Sequence, residues 1–98
     1  MEKLVEAQIE IDKKMVSAGL PSTMVLYALD SDHFVISSVR SRALAEKAPV
    51  SQRVHVTESG GRYIVHLPKK IYEFYRLEEN DYSTMVSEKD PIKILVSI

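Results

Sequence analysis

The sequence predicts an α+β protein, with a mainly helical N-terminal region over residues 1–48, a linker at 49–52 and a small β-barrel over 53–98 carrying one short helix after Pro68. Three observations predict it. Residues 2–18 gather their apolar side chains on about half of a helical cylinder. Ala48-Pro49-Val50-Ser51-Gln52 interrupts the pattern, because the residue before a proline is pushed out of the helical region. From Arg53 onward the apolar period shortens to two, the mark of half-buried strands.

The N-terminal stretch carries two periodicities. On a helix, Leu4, Val5, Ile9, Ile11, Met15, Val16 and Ala18 oppose Glu2, Glu6, Glu10, Lys13 and Lys14. Val5, Ala7, Ile9 and Ile11 also alternate with Glu6, Gln8, Glu10 and Asp12, as in a strand. The Glu, Lys, Ala, Met and Gln content favours helix, and Gly19 followed by Pro21 supplies a stop. Residues 22–48 admit two readings. Ser22 or Thr23 caps a short helix through Leu29 and Asp32 caps a second through Ala48, or residues 24–29 and 34–39 are strands joined by Asp30-Ser31-Asp32. The stretch 42–47 is helical in either case.

Residues 53–98 follow one order. Arg53-Val54-His55-Val56-Thr57 reads as a strand, Glu58-Ser59-Gly60-Gly61 as a turn and residues 62–67 as a second strand. Pro68 then starts a helix, where its missing N–H has no intrahelical partner to lose. That helix runs over 69–76 with Ile71 and Tyr75 inward, and Phe74 a further candidate for the inward face. Residues 78–81 turn, 82–86 form a third strand, 88–91 turn again, and 92–98 form a fourth strand alternating Ile92, Ile94, Val96 and Ile98.

This order resembles the AbrB/SpoVT swapped-hairpin family of DNA-binding proteins over about 46 residues, nearly half the chain. Gly61-Arg62 matches the family's Gly-Arg and Leu67-Pro68 its Ile-Pro at the helix start. Ile71, Tyr75 and Leu77 fall where the family has apolar residues, and Glu79-Asn80-Asp81 matches its acidic turn, with Asn in place of Gly as the next-best residue at positive φ. Tyr72 and Glu73 replace arginines common in the family's helix, and Arg76 occupies the place of the helix-ending glycine. The resemblance implies a C-terminal swapped-hairpin β-barrel, formed by a homodimer in which each chain lends strands to the other. It also implies contact with double-stranded DNA through Arg53, Arg62, Lys69 and Lys70. Arg62 stands beside a turn able to enter a groove, where arginine reads guanine edges bidentately. Lys69 and Lys70 open a helix whose backbone N–H groups attract phosphate.

Charge and composition agree with an anionic partner. The formal net charge is −1, yet residues 40–76 carry +5 between flanks of −3 each. A basic middle between acidic flanks is a footprint of anion binding, and nucleic acid is the commonest large anion. Apolar residues make up 45% of the chain and charged residues 28%, as in soluble domains, and no apolar run approaches the roughly 20 residues of a membrane span. The absence of cysteine excludes disulfides and thiolate metal sites. His55 and His66 fall on facing strands without further ligands and read as sheet-surface histidines; no metal or cofactor is expected. No phosphate loop, nucleophile triad or metalloprotease helix is present, so no enzyme is expected. The expectation is a cytoplasmic DNA-binding dimer, a small transcriptional regulator or chromatin-associated factor. The alternative is an accessory subunit of a larger nucleic-acid-processing or toxin–antitoxin complex, docking a protein partner through residues 1–48.

Overall fold

The computed structural model describes residues 7–89 and 91–98. Seven strands are present among them: β1 (Gln8–Asp12), β2 (Thr23–Ala28), β3 (His33–Ser37), β4 (Val50–Ser59), β5 (Arg62–His66), β6 (Ser83–Ser87) and β7 (Lys93–Ser97). Helix α1 (Arg42–Lys47) lies between β3 and β4, and helix α2 (Lys69–Phe74) between β5 and β6. All strands join one antiparallel sheet in the order β1-β5-β4-β2-β3-β7-β6, which curls into a nearly closed barrel.

The expected helical N-terminal region is overturned. Strand takes 45% of the described residues and helix 16%, and residues 8–12 are a strand. The physical reason is the second periodicity of this stretch: Ile9 and Ile11 point into the core while Glu10 and Asp12 face out. Pairing with β5, Ile9 opposite Val65 and Ile11 opposite Tyr63, decides between two patterns that local propensity leaves close. Residues 2–6 of the expected helix lie outside the described residues. For residues 22–48 the hairpin reading is the observed one, β2 pairing with β3 across Asp30. Helix α1 starts at Arg42, where the Ser41 side chain accepts the Leu44 N–H at 3.2 Å.

The order expected for the C-terminal half is present, strand–turn–strand–helix–strand–strand, but the swapped-hairpin barrel is corrected. Hairpins β4–β5 and β6–β7 do not pair with each other. The chain's own β2–β3 hairpin sits between them, with β2 on β4 and β3 on β7. The mates expected from a second copy are therefore supplied in cis. Residues 50–52 of the expected linker belong to β4, and strands from both sides of residue 49 interleave in the sheet. Gly60 and Gly61, at φ 56° and 78°, make the two-residue β4–β5 turn, a conformation open to glycine at both positions.

The core fills the barrel with the inward row of each strand, including Leu26, Phe34, Ile36, Val54, Val65, Ile94 and Val96. Leu67, Ile71, Tyr75 and Leu77, in and around α2, belong to the same cluster. Phe74, the further inward candidate, is instead 63% exposed, because the neighbouring Tyr75 takes the inward position and leaves the Phe74 ring edge-on outside. The Tyr75 ring packs 4.8 Å from that of Phe34, while burial and the nearby Asp30 and Asp32 carboxylates push its hydroxyl up to about 12. Helix α2 ends in a Schellman arrangement, Leu77 N–H donating to Tyr72 O at 3.2 Å and Arg76 N–H to Glu73 O at 3.1 Å. That end places Arg76 at φ 50°, the left-handed conformation that glycine would take. Asn80, expected at positive φ, is not found there; its amide instead donates to Tyr75 O at 3.3 Å.

The two outer strands of the sheet, β1 and β6, are tied beyond their ends. Glu88 Oε1 accepts the Ser17 N–H at 2.6 Å, the Ser17 hydroxyl at 2.9 Å and the Ala18 N–H at 3.2 Å. These bonds, led by the Ala18 N–H and the Ser17 side chain, hold the Glu88 carboxyl below its ordinary value. Just before β6, burial pushes the Tyr82 hydroxyl up, with a Glu10 backbone hydrogen bond opposing it.

Candidate nucleic-acid interface

Strand β4 alternates its side chains across the barrel wall: Val54 and Val56 enter the core, while Ser51, Arg53 and His55 face out. Arg53 stands opposite Val25 of β2, and Ser51 opposite Tyr27. Tyr27 also faces outward, yet it is only 2% exposed. Its hydroxyl accepts the Ser41 N–H at 2.8 Å. That bond anchors the residue that caps α1, and with it the flanking Arg40 and Arg42. All three arginines line one cleft of about 560 Å³ whose other walls come from Val25, Tyr27, Ser41, Ala45, Ser51 and Gln52.

No carboxylate among the described residues lines this cleft. Among the described residues, no ion pair engages Arg40, Arg42 or Arg53. A guanidinium stays charged at any ordinary pH and offers five donors in a planar fork suited to phosphate oxygens. Three such groups around one opening repel one another in the free protein, and an anion between them relieves that repulsion. Chemically, the arrangement can bind a polyanion.

The four residues expected to contact DNA do not form one surface. Arg53 joins the arginine cleft. Lys70, on α2, lines a second cleft of about 410 Å³ with Ala28, Asp30, Val50, Ile71 and Phe74, and Gln52 lines both clefts. Lys69 turns to a third opening shared with Glu73, Glu78, Glu79 and Arg76, its Nζ 3.8 Å from Glu73. Arg62 lies beside the β4–β5 turn, opposite Ser59 and Asp12, with Nη1 3.2 Å from Glu10 Oε2. Ser59 is six residues along β4 from Arg53, about 20 Å at the usual strand rise. Nearby, Lys13 Nζ pairs with Glu58 at 3.0 Å, so the Arg62 end of the barrel is a neutralised rim.

Sequence reasoning leaves Arg40 and Arg42 as decoration on a solvated helix face, joining a basic surface only if that helix packs nearby. The signal that places them is Arg40-Ser41-Arg42 itself: a hydroxyl cap flanked by cations, fixed to whatever surface its helix covers. That surface is identified only once β2 is known to pair with β4.

His55 and His66 are direct cross-strand partners, and His66 Nε2 lies 3.0 Å from Thr57 Oγ1. Among the described residues, no group of three or more His, Asp or Glu is placed to hold a metal. Among them too, no helix is long and apolar enough to cross a membrane. Comparison of the chain with protein-family models, with curated proteins and with solved structures finds no match.

Proposed function

We propose that this chain is a cytoplasmic nucleic-acid-binding protein, a small regulator or chromatin-associated factor, that holds phosphates in the cleft of Arg40, Arg42 and Arg53. The observation that carries the reading is the convergence of three guanidinium groups on one opening, with no carboxylate among the described residues that line it. The +5 charge of residues 40–76 supports it, since it extends favourable potential beyond the cleft. So does the resemblance of residues 53–98 to AbrB/SpoVT DNA-binding proteins, which lies in the order of elements and not in strand exchange.

Fluorescence anisotropy with a labelled DNA oligonucleotide tests it. Three neutralised phosphates give a slope of log K against log salt of about −2 to −3, and Arg53→Ala reduces that slope by about one. Absence of binding at about 20 mM salt, where counterion release helps most, removes the proposal.

One observation favours a second reading, a subunit that docks a protein or its own copy. The outward row from Tyr27 through Val35 continues to Leu95 and Met85, and Met85 at the edge of the sheet is 68% exposed. In this reading the docking surface is the outer sheet face and not an N-terminal helix, because residues 8–12 are consumed in pairing with β5. Sedimentation of the wild type and of Met85→Ser distinguishes the two. A dimer that the substitution dissociates supports self-association through this row.

A further inference from the structure

Strand β4 is ten residues long, and its two neighbours cover different parts of it. β2 pairs with residues 50–55 and β5 with residues 55–59. Residues 50–53 therefore form an edge, and all four are exposed. The Val56 N–H donates to Ser22 O, on the β2 side, at 2.8 Å. Backbone groups alternate in direction along a strand, so the N–H and C=O of Ser51 and Arg53 point the other way, along the line of β5. Carried two residues past His55 and His66, the β4–β5 register sets Pro68 opposite Arg53. Pro68 has no N–H to give, and its carbonyl already accepts the Ile71 and Tyr72 N–H groups at 3.0 and 3.1 Å. Among the described residues, no backbone group pairs with Ser51 or Arg53 on that side.

The two faces of the sheet differ in chemistry beside this edge. On the outer face Arg53 stands with Arg40 and Arg42, and no carboxylate among the described residues lines their cleft. On the inner face Val50, Ile71 and Phe74 line the cleft of about 410 Å³, with Val50 and Phe74 both exposed. The sheet separates these clefts, so no compact ligand spans them. A strand laid along the edge reaches both, because its side chains alternate between the two faces of the sheet it joins. We propose that the free edge of β4 takes an extended acidic peptide as a further antiparallel strand, its carboxylates on the arginine face and its alternate, apolar side chains in the cleft of Val50 and Phe74. Main-chain pairing supplies affinity in such complexes, and the pockets for alternate side chains supply selection. A second copy of this chain is a poor occupant, since two β4 edges paired about a twofold axis bring six arginines together. Nucleic acid has no row of N–H and C=O groups to match the edge and meets the outer face alone. The peptide site shares Arg53 with the phosphate cleft proposed above but does not depend on nucleic-acid binding.

The test is fluorescence anisotropy of the full chain at low salt with a labelled peptide of about seven residues that alternates glutamate and valine. In antiparallel pairing, the residues opposite Ser51 and Arg53 share their face and exchange both hydrogen bonds with them. The glutamate N–H groups therefore face β4, and the valine N–H groups face away. Methylating the glutamate backbone nitrogens weakens binding about tenfold or more, whereas methylating the valine nitrogens leaves it within about twofold. Because the change is made in the probe, a folding defect cannot imitate it. Arg53→Ala and Phe74→Ala each weaken binding of the unmethylated peptide. Equal binding of the two methylated peptides overturns strand addition and leaves an acidic peptide held by charge alone. No binding of the unmethylated peptide at about 1 mM overturns the proposal outright. Neither result bears on the phosphate cleft, which is read with oligonucleotides.

Discussion

The Tyr75 hydroxyl lies 2.8 Å from the carbonyl oxygen of Asp30 and 3.0 Å from that of His33, so the residue that ends α2 is bonded to the turn joining β2 and β3. Both carbonyls flank a compact turn in which the Asp30 side chain accepts the Asp32 N–H at 2.7 Å. The hydroxyl thereby fastens the lid of the barrel to the hairpin that fills its middle. Tyr75→Phe removes that fastening without changing the shape of the core. Loss of a hydrogen bond at a buried site lowers unfolding free energy by about 1–2 kcal/mol, read as a shift in the urea midpoint at constant slope.

The same hydroxyl gives the fold an alkaline limit. Its pKa rises from 10 in the unfolded chain to about 12 in the fold, mainly through burial. Between these values the native state holds a proton that the unfolded state has released, so stability falls as pH rises through that window and is intact below it. The loss expected over the window is on the order of 3 kcal/mol. Urea titrations at pH 9 and pH 11.5 check it: the wild type loses stability over this interval and Tyr75→Phe loses markedly less.

Arg76 sits at φ 50° at the end of α2, where a side chain pays a steric penalty that glycine avoids. Arg76→Gly therefore raises stability by about 1 kcal/mol, whereas Arg76→Ala, with its Cβ in the same place, leaves it nearly unchanged. Thermal melts of the three proteins measure both effects. A fall in melting temperature for the glycine variant contradicts the assignment.

Acid loosens the barrel at the tie between β1 and β6. The Glu88 carboxyl is held below its ordinary value of 4.5 by the Ala18 and Ser17 donors, and Asp30 below 3.8 by the Asp32 N–H and His33. A lowered native pKa stabilises the fold above the unfolded value, and that contribution is lost as pH falls through the native one. Protection factors at Ser17 and Ala18, which correct exchange rates for their intrinsic pH dependence, fall in the wild type as pH drops below the ordinary carboxylate range. In Glu88→Gln they are already low at pH 7 and change little on acidification.

Arg62 provides the control for the proposed interface. Its pair with Glu10 is exposed at both partners, and such pairs contribute between zero and about 1 kcal/mol. Arg62→Ala thus changes stability by less than about 0.5 kcal/mol and leaves oligonucleotide affinity within about twofold of wild type, because the arginine cleft is roughly 20 Å away. A loss as large as that of Arg53→Ala would move the binding surface to the turn end of the barrel.

The C-terminal half was legible because its signals are local. Gly60-Gly61 dictates a tight turn, Pro68 a helix start, and Ile94 and Val96 a strand with one buried face. The N-terminal half was not, since Ile9 and Ile11 satisfy a helix and a strand alike, and the choice is made by β5, more than fifty residues further on. The candidate site suffered from the same non-locality. Arg53 was found by its position in a legible strand, but its companions Arg40 and Arg42 reach it only through the pairing of β2 with β4 and the bond between Tyr27 and Ser41.

Placing the β2–β3 hairpin between two hairpins that follow it in sequence has a kinetic cost. His33 must find Ser97 and Gln8 must find His66, so neither partner of these pairs is near the other while the chain is still open. Closing such large loops before any contact rewards them slows the search, and antiparallel folds of this kind form in milliseconds to seconds, well behind helical bundles of similar length. During that interval β3 has a bare edge and a full set of apolar side chains, which makes the half-assembled chain the form most exposed to association with its own kind.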